Sequence, residues 1–228
     1  MKMGDWNSQN AENYSRTIPQ KIPGYELLYE QMIAIIQVIL KPTKILVVGA
    51  GGGQELLTLG KIFKDVKYTA VDPSRKMLNL AQARLTDISI QVDWFESELA
   101  AVPITERFEV ITCHLMLHFL EEKQALVEEL GKRLKPGGLC FISCIIREEK
   151  EENTLPFWQQ HMKNNGIANE EIEQFGVSLD KTTYPALPSD LYKWLNDAGF
   201  VTIIPYFKSY AIVAYVAIKG ESTCQKTC

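Results

Sequence analysis

An apolar run that breaks abruptly into glycines constrains this chain more than any other feature. Ile45-Leu-Val-Val48 leads into Gly49-Ala-Gly-Gly-Gly53, with Gln54 and Glu55 behind it, and Val71-Asp72-Pro73 follows about twenty residues on. A buried strand, a glycine turn, a helix and an acid at the tip of the next strand make up a nucleoside-binding βαβ unit. The glycines allow a sharp turn and remove the Cβ atoms that would hold a ligand off. The helix expected from Gln54 aims free N–H groups at the ligand. Asp72 is expected to accept hydrogen bonds from two ribose hydroxyls. A dinucleotide fingerprint reads G-x-G-x-x-G, but the sixth position here is Gln54 and the glycines fall at 49, 51 and 53. The bland alternative, an ordinary tight turn, has to be weighed against what accompanies it.

Four further segments follow in order. They are Asp72-Pro-Ser-Arg-Lys-Met77, Val92-Asp93-Trp94, Phe108-Glu-Val-Ile-Thr-Cys-His114 and Leu134-Lys-Pro-Gly-Gly-Leu-Cys-Phe-Ile142. With the glycine loop they resemble the motifs of class I S-adenosylmethionine (SAM) methyltransferases across residues 44–145. The resemblance implies an α/β, Rossmann-like fold: a seven-stranded, mostly parallel sheet with an antiparallel last strand and helices on both faces. It implies SAM as cofactor and S-adenosylhomocysteine as product. It also implies site roles. Gly49, Ala50, Gly51 and Gly53 would line the methionine and ribose, and Asp72 would bind the ribose. Pro73 and Met77 would flank the adenine, Asp93 would take its amino group, and Trp94 would lie beside the ring. His114 would face the sulfonium end. No metal is implied.

Looser features are similar to one branch of that superfamily, the carboxy-SAM synthases of tRNA wobble-uridine modification. They are Pro23-Gly-Tyr25, Leu115-Met-Leu-His-Phe-Leu120 and Asn196-Asp-Ala-Gly-Phe200, within a likeness running over residues 18–218. That branch grips the extra carboxylate of its ligand with an arginine, and by register the position falls at Phe175-Gly176. Neither residue can replace a bidentate guanidinium–carboxylate contact. The superfamily also usually carries an acid two residues before the first glycine, where this chain has Val47. Glu55, Arg16 and Tyr14 are the candidates to take its place.

The 228 residues suffice for one α/β domain with a real core, and 46% hydrophobic with 23% charged is ordinary for a soluble chain. A net charge of −4 with no Lys/Arg run gives no global reason to hold nucleic acid. No Asn-Pro-Pro-Tyr occurs, which argues against a DNA amino-methyltransferase. The first residues are polar, without the apolar core of a secretory leader, and no stretch is long and apolar enough to span a bilayer, so a cytoplasmic protein is expected. Cys113, Cys140 and Cys144 fall in expected strands as small hydrophobes, while Cys224 and Cys228 sit in a polar tail.

One methyltransferase domain over 1–228 is expected: an N-terminal arm and helix (1–43), a SAM-binding core (44–146), a helical lid insertion (147–188), a final helix and strand hairpin (189–220) and a tail (221–228). Residues 1–24 are read as an irregular arm. Apolar spacing predicts a helix over 25–40, a third strand over 88–92 and a helix over 121–134. The arm and insertion carry Trp6, Tyr14, Tyr25, Phe157, Trp158, His161, Phe175 and Tyr184, residues for a water-excluding aromatic lid or for simple packing.

Methyl transfer from SAM is an in-line displacement, which asks the enzyme for alignment and dryness more than for a nucleophile. The resemblance therefore speaks to the cofactor and not to the acceptor, for which a small apolar or aromatic molecule is expected. Where the acceptor must lose a proton, His114 is the expected base; the alternative is a half-buried histidine bonded to backbone. His118 is expected to be structural, and His161 is the weaker candidate to meet the acceptor. A homodimer is left open. The competing functions are a carboxy-SAM synthase-like enzyme and a non-catalytic SAM-binding accessory protein, the latter motivated by Val47.

Overall fold

The computed structural model describes residues 10–148 and 153–221, with the side chains of 10–12 left aside. The expected hinge at 147–153 falls partly outside these residues; Trp6, Cys224 and Cys228 fall wholly outside.

Seven strands form one sheet: β1 (Lys44–Val48), β2 (Lys67–Val71), β3 (Gln91–Phe95), β4 (Phe108–Cys113), β5 (Leu134–Ile145), β6 (Phe200–Ser209) and β7 (Ile212–Lys219). Their order is β3-β2-β1-β4-β5-β7-β6, with β7 antiparallel to both neighbours and the other contacts parallel. The strand order reverses between β1 and β4, and the carboxyl ends beside that reversal form a crevice where such sheets take ligands. The sheet is covered on both faces, so its strands are apolar on both. Ile45 and Val47 of β1 join a core with Leu28, Met32 and Ile36 of α2 (Tyr25–Ile39) and Leu56 and Leu59 of α3 (Gln54–Ile62). Leu46 and Val48 face the opposite way, to Val127 and Leu130 of α5 (Gln124–Arg133) and Leu191 and Leu195 of α8 (Pro188–Asp197).

Three elements differ from the sequence expectation. The arm contains a helix, α1 (Asn10–Lys21), whose apolar side consists of little more than Tyr14 and Ile18; that is too sparse for periodicity to reveal. The helix expected from 121 begins at Gln124, after a 3₁₀ turn at Leu117–Phe119, and Leu134 belongs to β5. The third strand lies three residues later than expected. Ile88, Ile90, Val92 and Trp94 all pack on the same core, so alternation runs past both ends. Pairing with β2 begins only at Lys67↔Gln91 and ends at Val71↔Phe95, while Ile88 and Ile90 lie over Gly60 of α3. That shift carries Asp93 and Trp94 from the expected turn into the strand.

The insertion forms α6 (Leu155–Asn164) and α7 (Asn169–Ser178). Trp158 anchors it: its indole N–H donates to the Lys21 carbonyl at 2.6 Å, Lys21 pairs with Glu171, and Phe175 packs edge-on against Trp158. The insertion is thereby tied to the end of α1.

Candidate active site

The glycine loop and Asp72 lock each other. The amides of Gly49 and Ala50 both donate to the Val71 carbonyl, at 2.8 and 3.0 Å. Asp72 accepts from the Gly51 amide at 2.9 Å and, through its other oxygen, from the Ser74 amide at 2.8 Å. Ser74 caps α4 (Arg75–Arg84), its side chain accepting from the Met77 amide. Burial raises the Asp72 pKa while the two amides pull it back down. Gly53 is required twice over. Its φ is +78°, and a Cβ there would stand 2.8 Å from the Cα of Ala81. Arg84 completes the clamp, donating to the Gly52 carbonyl and the Gln54 side chain, each at 2.6 Å.

A cavity of about 340 Å³ opens beside this loop at the carboxyl ends of β1, β2 and β4. Gly49, Gly51, Asp72, Pro73, Met77 and His114 line it. Ala50 and Gly53 do not; they support the loop from behind, Gly53 against Ala81. Asp93 and Trp94 do not line it either. Asp93 pairs with Lys67 at 2.8 Å midway along β3, and Trp94 packs into the core. The wall after β3 is instead Ser97, Glu98, Leu99 and Ala100. The sequence signal for these four was their place just past a strand end, which the misjudged register hid. Arg133, buried, holds this wall in position: it donates to the carbonyls of Val102 at 2.9 Å and Leu99 at 3.4 Å, and pairs with Glu129. Ser97 Oγ is buried without a hydrogen-bond partner among the described residues.

The other end of the cavity is aromatic. Tyr14 reaches it from α1. His114 is buried, with Nδ1 3.0 Å from Ser143 Oγ and Nε2 3.2 Å from the Tyr206 hydroxyl, and its ring lies edge-on to Tyr29. Both ring nitrogens therefore have partners. Burial lowers its pKa to about 3, so the ring is neutral across the physiological range. His118 is also buried with its pKa lowered to about 3, and it lies outside the cavity. His161 faces Asn165 and Tyr210, also away from it.

Glu55, in the first turn of α3, is buried below the same end. Of the three candidates to replace the acid missing at 47, Arg16 is exposed and bonded to Asn13, Tyr14 lines the cavity, and Glu55 alone supplies a buried carboxyl.

Among the described residues lining the cavity stand four carboxylates, Asp72, Glu98, Glu122 and Glu129, and no Lys or Arg. Phe175 is engaged with Trp158 and Gly176 lies beside Gln159 of α6. No cluster of three His, Cys, Asp or Glu among the described residues could hold a metal.

A sequence-family profile described as "Methyltransferase domain" matches residues 45–138, from the start of the glycine motif to the beginning of β5. The chain belongs to the class I SAM-dependent methyltransferases. This methyltransferase is 25% identical over 225 residues to a carboxy-S-adenosyl-L-methionine synthase of Trichodesmium erythraeum, covering 95% of this chain and 88% of that one. It is 30% identical over 166 residues to a ubiquinone biosynthesis O-methyltransferase of Pseudomonas putida, covering 72% of this chain and 66% of the relative. Its fold matches magnesium protoporphyrin IX methyltransferase from Synechocystis with a TM-score of 0.69 at 15% identity, covering 94% and 96% of the two chains. Other structures of the same fold are longer, and the chain spans 59% and 61% of two of them. No described helix of the methyltransferase is long and apolar enough to cross a membrane.

Proposed function

We propose that this methyltransferase binds SAM in the cavity, nucleoside toward Asp72 and methionyl end toward His114, and methylates a small, uncharged or cationic acceptor. The observation that carries the reading is the charge of the cavity: four carboxylates and no Lys or Arg line it, Glu129 of the four being ion-paired with Arg133 and Lys132. Such a wall suits a ligand carrying a sulfonium and an ammonium, and it offers nothing to an added carboxylate. When bound, SAM supplies a methyl group already activated by its positive sulfur.

The chain's own residues do the rest. Asp72, fixed by two amides, receives the ribose hydroxyls without reorganising. Pro73 and Met77 flank the base from one side and Leu99 from the other. Ser97 and Glu98 take over the adenine-facing role that the sequence assigned to Asp93. Tyr14, carried by α1, shuts out water. His114 acts as a neutral ring that fixes the Tyr206 hydroxyl, and a proton leaving the acceptor passes to solvent or to a neighbouring carboxylate.

The second reading is a carboxy-SAM synthase-like reaction, favoured by the coverage shared with the Trichodesmium enzyme. Mass spectrometry on the small molecules released by denaturing the purified protein, with a SAM titration, decides between the two. SAM or S-adenosylhomocysteine is the expected release. Carboxy-SAM would overturn the charge argument, and binding of neither SAM nor S-adenosylhomocysteine at millimolar concentration would end the methyltransferase reading of this cavity.

A further inference from the structure

The turn that closes the aromatic end of the cavity is strained, and one buried hydroxyl holds it. Leu115, the second residue past β4, has φ +54°, a left-handed backbone that leucine rarely adopts. It is buried and lines the cavity between His114 and Met116. Such outliers persist only where their surroundings over-determine them, and they gather at functional sites. Here the surroundings are Ser143 of β5. The last register pair of β4 and β5 is Cys113↔Ile142, so Ser143 lies beside the turn, one step past the end of the ladder. The Leu115 amide donates to Ser143 twice, to its carbonyl at 3.1 Å and to its Oγ at 3.0 Å. The turn delivers the Met116 side chain onto the glycine loop, so closely that a Cβ on Gly49 would stand 2.8 Å from the Met116 Cγ.

The same hydroxyl bears on which nitrogen of His114 carries the proton. Ser143 is fully buried, and its Oγ has two hydrogen-bond neighbours among the described residues, the Leu115 amide and His114 Nδ1 at 3.0 Å. The amide can only donate, so it occupies one lone pair of the oxygen. The hydroxyl proton then has a single acceptor, the Nδ1 lone pair. Were Nδ1 protonated, two donors would face the oxygen, and its own proton would be buried without an acceptor. Every group is satisfied only when Nδ1 accepts from Ser143 and Nε2–H donates to the Tyr206 hydroxyl, 3.2 Å away. With both nitrogens engaged, the ring offers the cavity its carbon atoms and no lone pair.

We propose that Ser143 is a positioning residue for methyl transfer: it holds His114 in the Nε2–H tautomer and Leu115 in its left-handed turn, and so sets the wall that meets the sulfonium end of SAM. Ser143 does not itself line the cavity and acts only through those two residues. The assignment rests on the SAM reading of the cavity.

The test is long-range proton–nitrogen correlation NMR of the histidine rings at pH 7, together with titration of S-adenosylhomocysteine. Both are done on the full-length protein and on Ser143→Ala, which removes the hydroxyl alone. The chain has three histidines, and a His114→Gln variant identifies the His114 signals. In the unaltered protein the ring should be a single Nε2–H tautomer, and its signals should shift, with the tautomer kept, when S-adenosylhomocysteine binds. In Ser143→Ala the ring should become a mixture of both tautomers. S-adenosylhomocysteine should then bind roughly fivefold more weakly, within the range by which residues that touch no ligand modulate binding. An Nδ1–H ring in the unaltered protein, a tautomer unmoved by the substitution, or an unchanged affinity overturns the proposal. Should the variant fail to fold, the unaltered protein still decides, because an Nδ1–H ring or one that ignores the ligand overturns it equally. If the unaltered protein binds neither SAM nor S-adenosylhomocysteine, the SAM reading itself has failed, whereas the tautomer is read with no ligand present.

Discussion

The two ends of the cleft are built on opposite principles. At the nucleoside end the groups that fix the loop are satisfied before a ligand arrives: both Asp72 oxygens, both amides entering the loop and the Gly52 carbonyl have partners, while Ser97 Oγ on the facing wall has none among the described residues. At the end proposed for the methionyl group a whole carboxyl, Glu55, is buried, with the Thr112 hydroxyl and the His114 backbone the groups that favour its charged form. The first end comes from one continuous βαβ unit. The second is assembled from α1, α2, α3, β4 and β6, elements up to about 190 residues apart in sequence. A prebuilt end gives affinity common to any nucleoside of this kind, whereas an end holding a buried carboxyl among aromatic rings discriminates by the charge of what it meets.

The sharpest way to break this contrast is at the loop. Gly53→Ala forces a side chain into left-handed backbone and against Ala81, and should cost about 2–4 kcal/mol of stability. Gly52→Ala, whose Cβ would meet nothing closer than 3.4 Å, should cost under about 1 kcal/mol. Denaturant unfolding of the two variants side by side checks this, and equal losses would mean the loop is not the rigid piece claimed. Next, Asp72→Ala should weaken SAM by about 1.5–3 kcal/mol through lost charge-assisted hydrogen bonds. It should weaken 5′-methylthioadenosine by the same amount, since both carry the ribose. Unchanged affinity on titration would refute the ribose placement.

The contrast also explains what was legible in the sequence. The glycine loop, Asp72, Met77 and His114 were readable because each is tied to a strand end that apolar runs mark. Asp93, expected in a turn past the third strand, stands within β3, because the period-2 pattern continues beyond the paired residues: alternation reports burial, whereas register depends on the neighbouring strand. Tyr14 lies on a helix with too narrow an apolar side to announce itself. Val47 marked a missing acid, yet nothing local in the sequence puts the Glu55 carboxyl beside Thr112, the register partner of Val47. Contacts between distant segments leave no local spacing to read.

Stability against pH sharpens the comparison further. Glu55 has a folded pKa of about 8 against 4.5 for the free side chain, so its burial is best tolerated below 4.5 and becomes steadily less favourable up to about pH 8. His114 and His118, near 3 when folded against 6.5 when free, act oppositely: stability is complete above 6.5 and falls as pH drops toward 3. Two histidines against one carboxyl leave a net rise of roughly 1.4 kcal/mol per pH unit between 4.5 and 6.5, and a similar fall from 6.5 to 8. The free protein should therefore melt highest near pH 6.5, and Glu55→Gln should flatten the alkaline side while steepening the acid side. Thermal unfolding across pH 5–8.5 checks it. An alkaline limb that survives in the variant would remove Glu55 as its cause.

The smallest expected effect probes whether the two ends are independent. Tyr206→Phe removes the hydroxyl facing His114 Nε2 and leaves that nitrogen buried without a partner, for a loss of about 0.5–1.5 kcal/mol of stability. Nδ1 remains at Ser143, so the ring should keep its place. Tyr206 does not line the cavity, and no contact of Asp72 or the glycine loop runs through it. S-adenosylhomocysteine affinity should accordingly change by less than about twofold. A loss as large as that of Asp72→Ala would mean that the aromatic cluster sets the nucleoside site as well, and the cleft would have one responsive unit instead of a rigid end and an adaptable one.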